Sequence, residues 1–189
     1  MDKEIIWDIE TKPVEEKIRR MYFFVPYNIS PIQQAIQAGH AVLEYAFKYG
    51  NTKEFIDFVT NHKTWIILNG GTTNDSLDND GYFYGSLNKI LDLLENNDID
   101  YTIFREPDLN DTLTAVCFIC DEIVFDWENY PDFKSYLIKT LDNFDKTLLK
   151  LTLEDLKLLY PIPYNNWYVL IGGKQNEILK ELIKDKKLA

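Results

Sequence analysis

Four short apolar runs, spaced by longer stretches of helical periodicity, constrain this chain more than any other feature. MYFFVPY (21–27), WIILNGG (65–71), DIDYTIFRE (98–106) and LTAVCFICDE (113–122) are short, rich in β-branched and aromatic residues, and bounded by turn formers. Such runs read as strands, most of them buried. Two helical stretches separate the first pair, and one, from Ser86 to Asn96, separates the second and third. The order strand, helix, helix, strand, helix, strand, strand predicts an α/β protein with a mixed four-stranded sheet flanked by helices. The 189 residues suit one domain with an appendage better than two domains. The expected division is an N-terminal arm (1–20), an α/β core (21–126) and a C-terminal helical extension (127–189).

The first helix is expected from Pro31 to Tyr49, with Ser30 as N-cap, Pro31 at the first helical position and Gly50 at the end. Its wheel carries two stripes. Ile32, Ile36, Leu43 and Phe47, with small Ala35, Gly39 and Ala46, form the apolar side, expected to face the core. Gln33, Gln37, His40 and Glu44 form a polar stripe within about 60° of arc. Gly39 in a helix interior costs roughly 1 kcal/mol against Ala, which close approach by another backbone would explain.

A second helix is expected at 52–62, and TTNDSLDNDGYFYG (72–85) is a polar loop. In the extension, PDFKSYLIKTLDNFDKTLLK reads as one amphipathic helix and TLEDLKLLY as a shorter one capped by Thr152. PIPY breaks that helix, and NWYVLIGG is a short strand or a loop. KQNEILKELIKDKKLA is a terminal helix with bases in its last turn. Tyr164, Trp167 and Tyr168 pack this segment or form an interface.

Cys117 and Cys120 stand in a C-x-x-C spacing, but inside a strand. Residues three apart on a strand point to opposite faces, so the sulfurs diverge. No second Cys/His pair completes a zinc site. The expectation is two buried, reduced thiols acting as small hydrophobes in a reducing, cytoplasmic setting. Gly70-Gly71 has no Lys-Ser/Thr after it and reads as a turn, not a phosphate loop. DSLDNDG lacks the spacing of a calcium loop. No cofactor and no metal are therefore expected. No apolar stretch is long enough to span a membrane, and the charged N-terminus does not read as a signal peptide. The formal net charge is −11, with 31 acids against 20 bases. A field of that sign disfavours a grip on nucleic-acid phosphates.

A strand and turn followed by a helix with Gln37-Ala38-Gly39-His40-Ala41 resembles the type II peptidyl-tRNA hydrolases, whose first helix carries Q-x-x-H-A. WIILNGG is similar to that family's second strand. FREPDLNDTLTAV is similar to its polar loop, with an acidic residue and a Thr before the last strand. The resemblance covers about residues 21–122. It is nearest to short phage-encoded relatives that pair this core with a C-terminal helical segment ending in a basic-Leu-Ala tail, here Lys187-Leu188-Ala189.

The resemblance implies catalytic roles for His40, Glu106 and Thr114, with Gln37 matching the Gln three residues before the His. Glu106 stands where the family has Asp. Gln33 stands where it has a functionally important Lys, and Gly39 where it has Ser. In the implied ester hydrolysis His40 is the general base, oriented by Glu106 or Glu44. Thr114, Asn110 and loop amides are oxyanion donors, and Gln33, Gln37, Glu44 and Asn110 line the substrate side. Two readings stay open. One is a peptidyl-tRNA hydrolase with weakened activity. The other is a catalytically inactive phage protein, working in the host cytoplasm, that binds a nucleotide-like ligand in the former cleft or a host or virion protein through its acidic surface and C-terminal helices. The oligomeric state is open, a homodimer included.

Overall fold

The computed structural model describes residues 17–142 and 144–189. The expected N-terminal arm lies outside the described residues up to Glu16. The chain is α/β, and its sheet is four-stranded and mixed.

Strand β1 (Arg19–Val25) runs through the middle of the sheet. Helix α1 (Pro31–Tyr49) follows, then the short α2 (Lys53–Asp57), which continues as a π-helical turn to His62. β2 (Thr64–Asn69) returns parallel to β1. A small hairpin, β3 (Ser76–Leu77) and β4 (Phe83–Tyr84), precedes α3 (Ser86–Glu95). β5 (Thr102–Glu106) and β6 (Thr112–Asp121) complete a sheet of order β2-β1-β6-β5, with β6 antiparallel to both neighbours. The remaining helices are α4 (Glu122–Phe125), α5 (Phe133–Thr140), α6 (Leu153–Leu159), α7 (Pro161–Leu170) and α8 (Lys174–Ile183).

β1 is buried from Met21 to Val25, and its alternation sorts the core into two layers. Met21, Phe23 and Val25 face α1 and α2, meeting Ala38, Ala41, Tyr45, Phe55 and Phe58. Tyr22 and Phe24 face α3 and α8, meeting Leu87, Leu94, Leu179 and Ile183. Cys117 falls in the first layer and Cys120 in the second, so the two thiols are separated by the sheet. Burial pushes the Cys117 thiol up to about 12, and Cys120 is raised well above its ordinary value by the same cause.

Helix α1 starts as its sequence dictates. Ser30 accepts from the Gln33 amide, Gln33 Oε1 reaches back to the Ser30 amide, and Pro31 occupies the first turn. Its orientation reverses the sequence expectation. Gln34, Gln37, Ala38, Ala41 and Tyr45 are buried, whereas Ile32, Ile36, Leu43 and Phe47 face outward. Small Ala38 and Ala41 let the helix axis lie close to the sheet, a fit that bulky side chains would prevent. Gly39 is likewise not explained by a close internal backbone, since among the described residues a Cβ there would meet nothing within 4 Å.

The C-terminal extension departs from expectation in three places. The expected long helix from Pro131 is split into α5 and a 3₁₀ turn over Lys146–Lys150. PIPY ends α6 as expected, but it also begins a further helix, because Pro161 sits in the first turn of α7, where no amide partner is needed. NWYVLIGG is consequently neither strand nor loop but mostly the body of α7 and its two glycines. Phe133, Leu137, Leu156, Trp167 and Ile171 form a third cluster, and Trp167 Nε1 donates to Pro131 O at 2.8 Å.

The extension is not merely appended. Leu179, Leu182 and Ile183 of α8 belong to the core layer beneath the sheet. The last residues pair with the outer edge of β2, through Asn69 N to Lys187 O at 3.0 Å and Ala189 N to Ile67 O at 3.1 Å. That covers an edge that would otherwise offer unpaired backbone groups. Among the described residues no helix is long and apolar enough to cross a membrane.

Candidate functional site

The carboxyl ends of β1, β2 and β5 and the start of β6 meet at one end of the sheet, the position where open α/β sheets place their ligand crevices. The turn after β2 is closed by Gly71, at φ +86°, whose carbonyl accepts from Tyr27 N. Gln34 Nε2 donates to Pro26 O at 3.0 Å and ties the first turn of α1 to the end of β1.

A β-bulge shapes this end. Phe104 pairs with Ala115 and Arg105 with Leu113, so Thr114 is the extra residue of β6. Bulges re-aim side chains. Here Thr114 and Ala115 both face α1, with Thr114 donating to Gln37 Oε1 at 2.6 Å and Ala115 packing in the α1 layer. Gln37 Nε2 then donates to Glu106 Oε2 at 2.8 Å. The result is a hydrogen-bonded chain with one polarity: hydroxyl to amide carbonyl, amide NH₂ to carboxylate. Gln37 and Thr114 are buried, and Glu106 stands at the end of β5 with its second oxygen uncommitted in this chain.

His40 lies one turn beyond Gln37. Its ring stacks on Phe104 with centroids 4.4 Å apart and planes 17° from parallel. Phe104 O in turn receives a second, longer bond from Thr114 at 3.3 Å. Among the described hydrogen bonds none involves His40, so neither Glu106 nor Glu44 orients its ring here. Glu44 is exposed on the helix flank. Gln33 is exposed at the helix start, and its Oε1 accepts from both the Ser30 amide and hydroxyl. The side chain in the position compared with a lysine is thus partly committed to a helix cap.

Two adjoining cavities of about 520 and 300 Å³ open beside this chain, sharing Phe83, Asn110 and Thr112 in their walls. Thr114 lines the smaller one. Asn110 holds a left-handed conformation, φ 54°, in the turn between β5 and β6. Sequence reasoning missed Arg105 and Phe83 in this wall. Arg105 Nη1 donates to Asp111 O at 3.2 Å, and the hairpin that brings Phe83 over the cleft is closed by Asp78, which accepts from the Asp80 and Tyr82 amides. Asp78, Asp108 and Asp111 outnumber Arg105 in the combined lining, which makes the cleft acidic. Among the described residues no group of three or more His, Cys, Asp or Glu side chains converges in a way that could hold a metal ion.

The site therefore brings Gln37, Glu106 and Thr114 into direct contact, places His40 beside them on Phe104, sets Asn110 in the cleft wall, and leaves Gln33 and Glu44 on the helix surface. No protein-family model matches the chain, and no curated protein matches it.

Proposed function

We propose that this chain is a peptidyl-tRNA hydrolase-like protein that cleaves the ester of peptidyl-tRNA slowly, in the cleft beside Thr114. The reading rests on one observation, the Thr114–Gln37–Glu106 chain built on a β-bulge next to His40. A polar chain with two buried members, ending beside a cleft that Thr114 lines, fixes side chains where a reacting group would sit.

In this reading His40 takes a proton from water, and the water oxygen attacks the ester carbonyl. The oxyanion is met by neutral donors, the Asn110 amide and backbone N–H groups of 106–114. The carbonyl–oxygen bond to the ribose then breaks, and the leaving oxygen recovers the proton from the imidazolium. Thr114, whose own proton goes to Gln37, serves as an acceptor that orients the water or substrate. Gln33 supplies no charge, and losing one charged donor at a transition state costs on the order of 10² to 10³ in rate.

The acidic lining counts against a polyanionic tRNA and favours a second reading: a fold relative that holds a nucleotide-like ligand by its base and sugar without turning it over. Asp78, Asp108 and Asp111 against Arg105, within a chain of net charge −11, disfavour a multiply phosphorylated partner.

Release of peptide from an N-blocked aminoacyl-tRNA decides between them. The hydrolase reading expects slow turnover, its loss in His40→Ala, and a faster rate in Gln33→Lys. Absence of turnover by micromolar enzyme, with a thermal shift induced by a nucleotide, transfers the cleft to the binding reading.

A further inference from the structure

We infer that the outward face of α1 is a docking surface for a second copy of this chain. Ile32, Ile36, Leu43 and Phe47 are 72%, 49%, 67% and 92% exposed. At about 100° per residue they and Gly39 fall within about 80° of arc. That arc lies opposite Gln34, Ala38, Ala41 and Tyr45, which face the sheet. A surface helix normally turns polar residues to this side. Single exposed apolar residues need no explanation, but a continuous stripe along a 19-residue helix does.

The pattern itself selects the occupant. The stripe reads nearly alike from either end, with Ile36 and Leu43 flanking Gly39 on its two sides and Ile32 and Phe47 beyond them. Two copies crossing antiparallel near Gly39 and His40 therefore set Ile32 against the second copy's Phe47 and Ile36 against its Leu43, twice over. A two-fold interface requires this self-complementarity.

Gly39 fits the crossing point. Glycine is the least favoured helix residue after proline, and among the described residues nothing outside its own helix lies within 4 Å of where its Cβ would be. Its missing side chain leaves room for a neighbour to pack closely onto this face. Ala35 and Ala46 keep one flank equally low. On the other flank Gln33 comes opposite the second copy's Glu44, amide against carboxylate. Antiparallel helices also set each positive N-terminal end beside a negative C-terminal end. The stripe itself carries no charge, which gives two chains of net charge −11 a neutral place to meet.

The area places the interface in a size class. Four such side chains offer on the order of 400 Å² per copy. Each partner of a standard stable complex buries about 800 Å². With its flanks the stripe therefore suits a reversible dimer, not an obligate one. This inference does not rest on the hydrolase reading.

Sedimentation of the full chain tests it, from low micromolar to about 100 µM. The expected result is a monomer–dimer equilibrium that tightens with added salt, because salt screens the repulsion between two acidic copies. Leu43→Glu and Phe47→Glu, both at exposed positions, should leave circular dichroism and melting unchanged and the protein monomeric. Gly39→Ala should weaken association at least about tenfold while improving helix propensity. Ile32→Cys chains should form disulfides when mixed with Phe47→Cys chains and not alone. A wild-type monomer at about 100 µM, or Leu43→Glu with unaltered association, overturns the proposal and assigns the stripe to a different protein or to another part of the same chain.

Discussion

The Thr114 hydroxyl donates to the Gln37 side-chain carbonyl at 2.6 Å, joining an extra residue of β6 to the buried face of α1. The bond is nearly shut off from water, with Thr114 2% and Gln37 7% exposed. Because the Gln37 amide is already aimed at Glu106, this single contact fixes which end of the amide faces which partner.

Thr114→Val keeps the shape of the side chain and removes the donor. Gln37 Oε1 is then buried without a partner, at a cost of about 1–3 kcal/mol. For a chain of this size each kcal/mol lowers the melting temperature by roughly 2–4 °C. Gln37→Leu should cost less, because Thr114 retains Phe104 O as an acceptor and Glu106 is only partly buried. The double variant should be less destabilised than the sum of the two, since each single change already breaks the same bond. Thermal unfolding of the three variants checks this, and strict additivity would show that the contact carries little energy.

The core strands, the extent of α1 and its N-cap were legible in the sequence because each rests on local chemistry: short apolar runs and the Ser30-Pro31 pair. Gln37, Glu106 and Thr114 were all in the candidate set, but their contact was not derivable. It depends on the bulge at Thr114, and a one-residue change of register leaves no local sign in LTAVCFICDE. The facing of α1 was misread because bulk was taken as the mark of burial. Ala38 and Ala41 are inside since the helix lies close to the sheet, and Ile32 and Phe47 are outside. Phe83 and Asp78 reach the cleft through long-range packing of the 76–84 hairpin, which alternation in a polar loop cannot announce, and Arg105 reaches it from β5. α7 was missed because Pro161 and Pro163 read as breakers, although a proline in the first turn of a helix costs no hydrogen bond.

The two thiols should be inert in the folded protein and titrate only on unfolding. Desolvation holds Cys117 up to about 12 against an ordinary 9.0, and it raises Cys120 as well. A disulfide reagent at pH 8 should therefore find no reactive thiol in the native state and two in denaturant. The linkage sign follows from the same shift. Between about 9 and 12 the unfolded chain loses protons that the folded chain keeps, so the stability these thiols contribute is full below pH 9 and declines above it. Cys117→Val, which removes that group, should show a shallower alkaline loss of stability than wild type.

Lys180 should act in the opposite direction. It is 1% exposed, and its Nζ donates to Ile123 O at 2.8 Å and Val124 O at 3.1 Å, with the Trp127 ring 4.2 Å away. It is the cation that fastens α8 to α4. Burial lowers it from 10.5 to about 8. In the unfolded chain the amine keeps its proton up to about 10.5, whereas the folded chain releases it near 8. Across that window the unfolded state binds the more protons, so this group makes folding stability rise with pH. Lys180→Met removes the rise and also leaves two buried carbonyls without their donor. The variant should therefore be less stable than wild type at pH 7, and the gap should be wider at pH 10. Urea unfolding at the two pH values measures it, with the thiols and tyrosines common to both proteins cancelling in the difference. A gap that narrows toward pH 10 would mean that the charged amine, held by the two carbonyls and the Trp127 face, is favoured over the neutral one inside the fold.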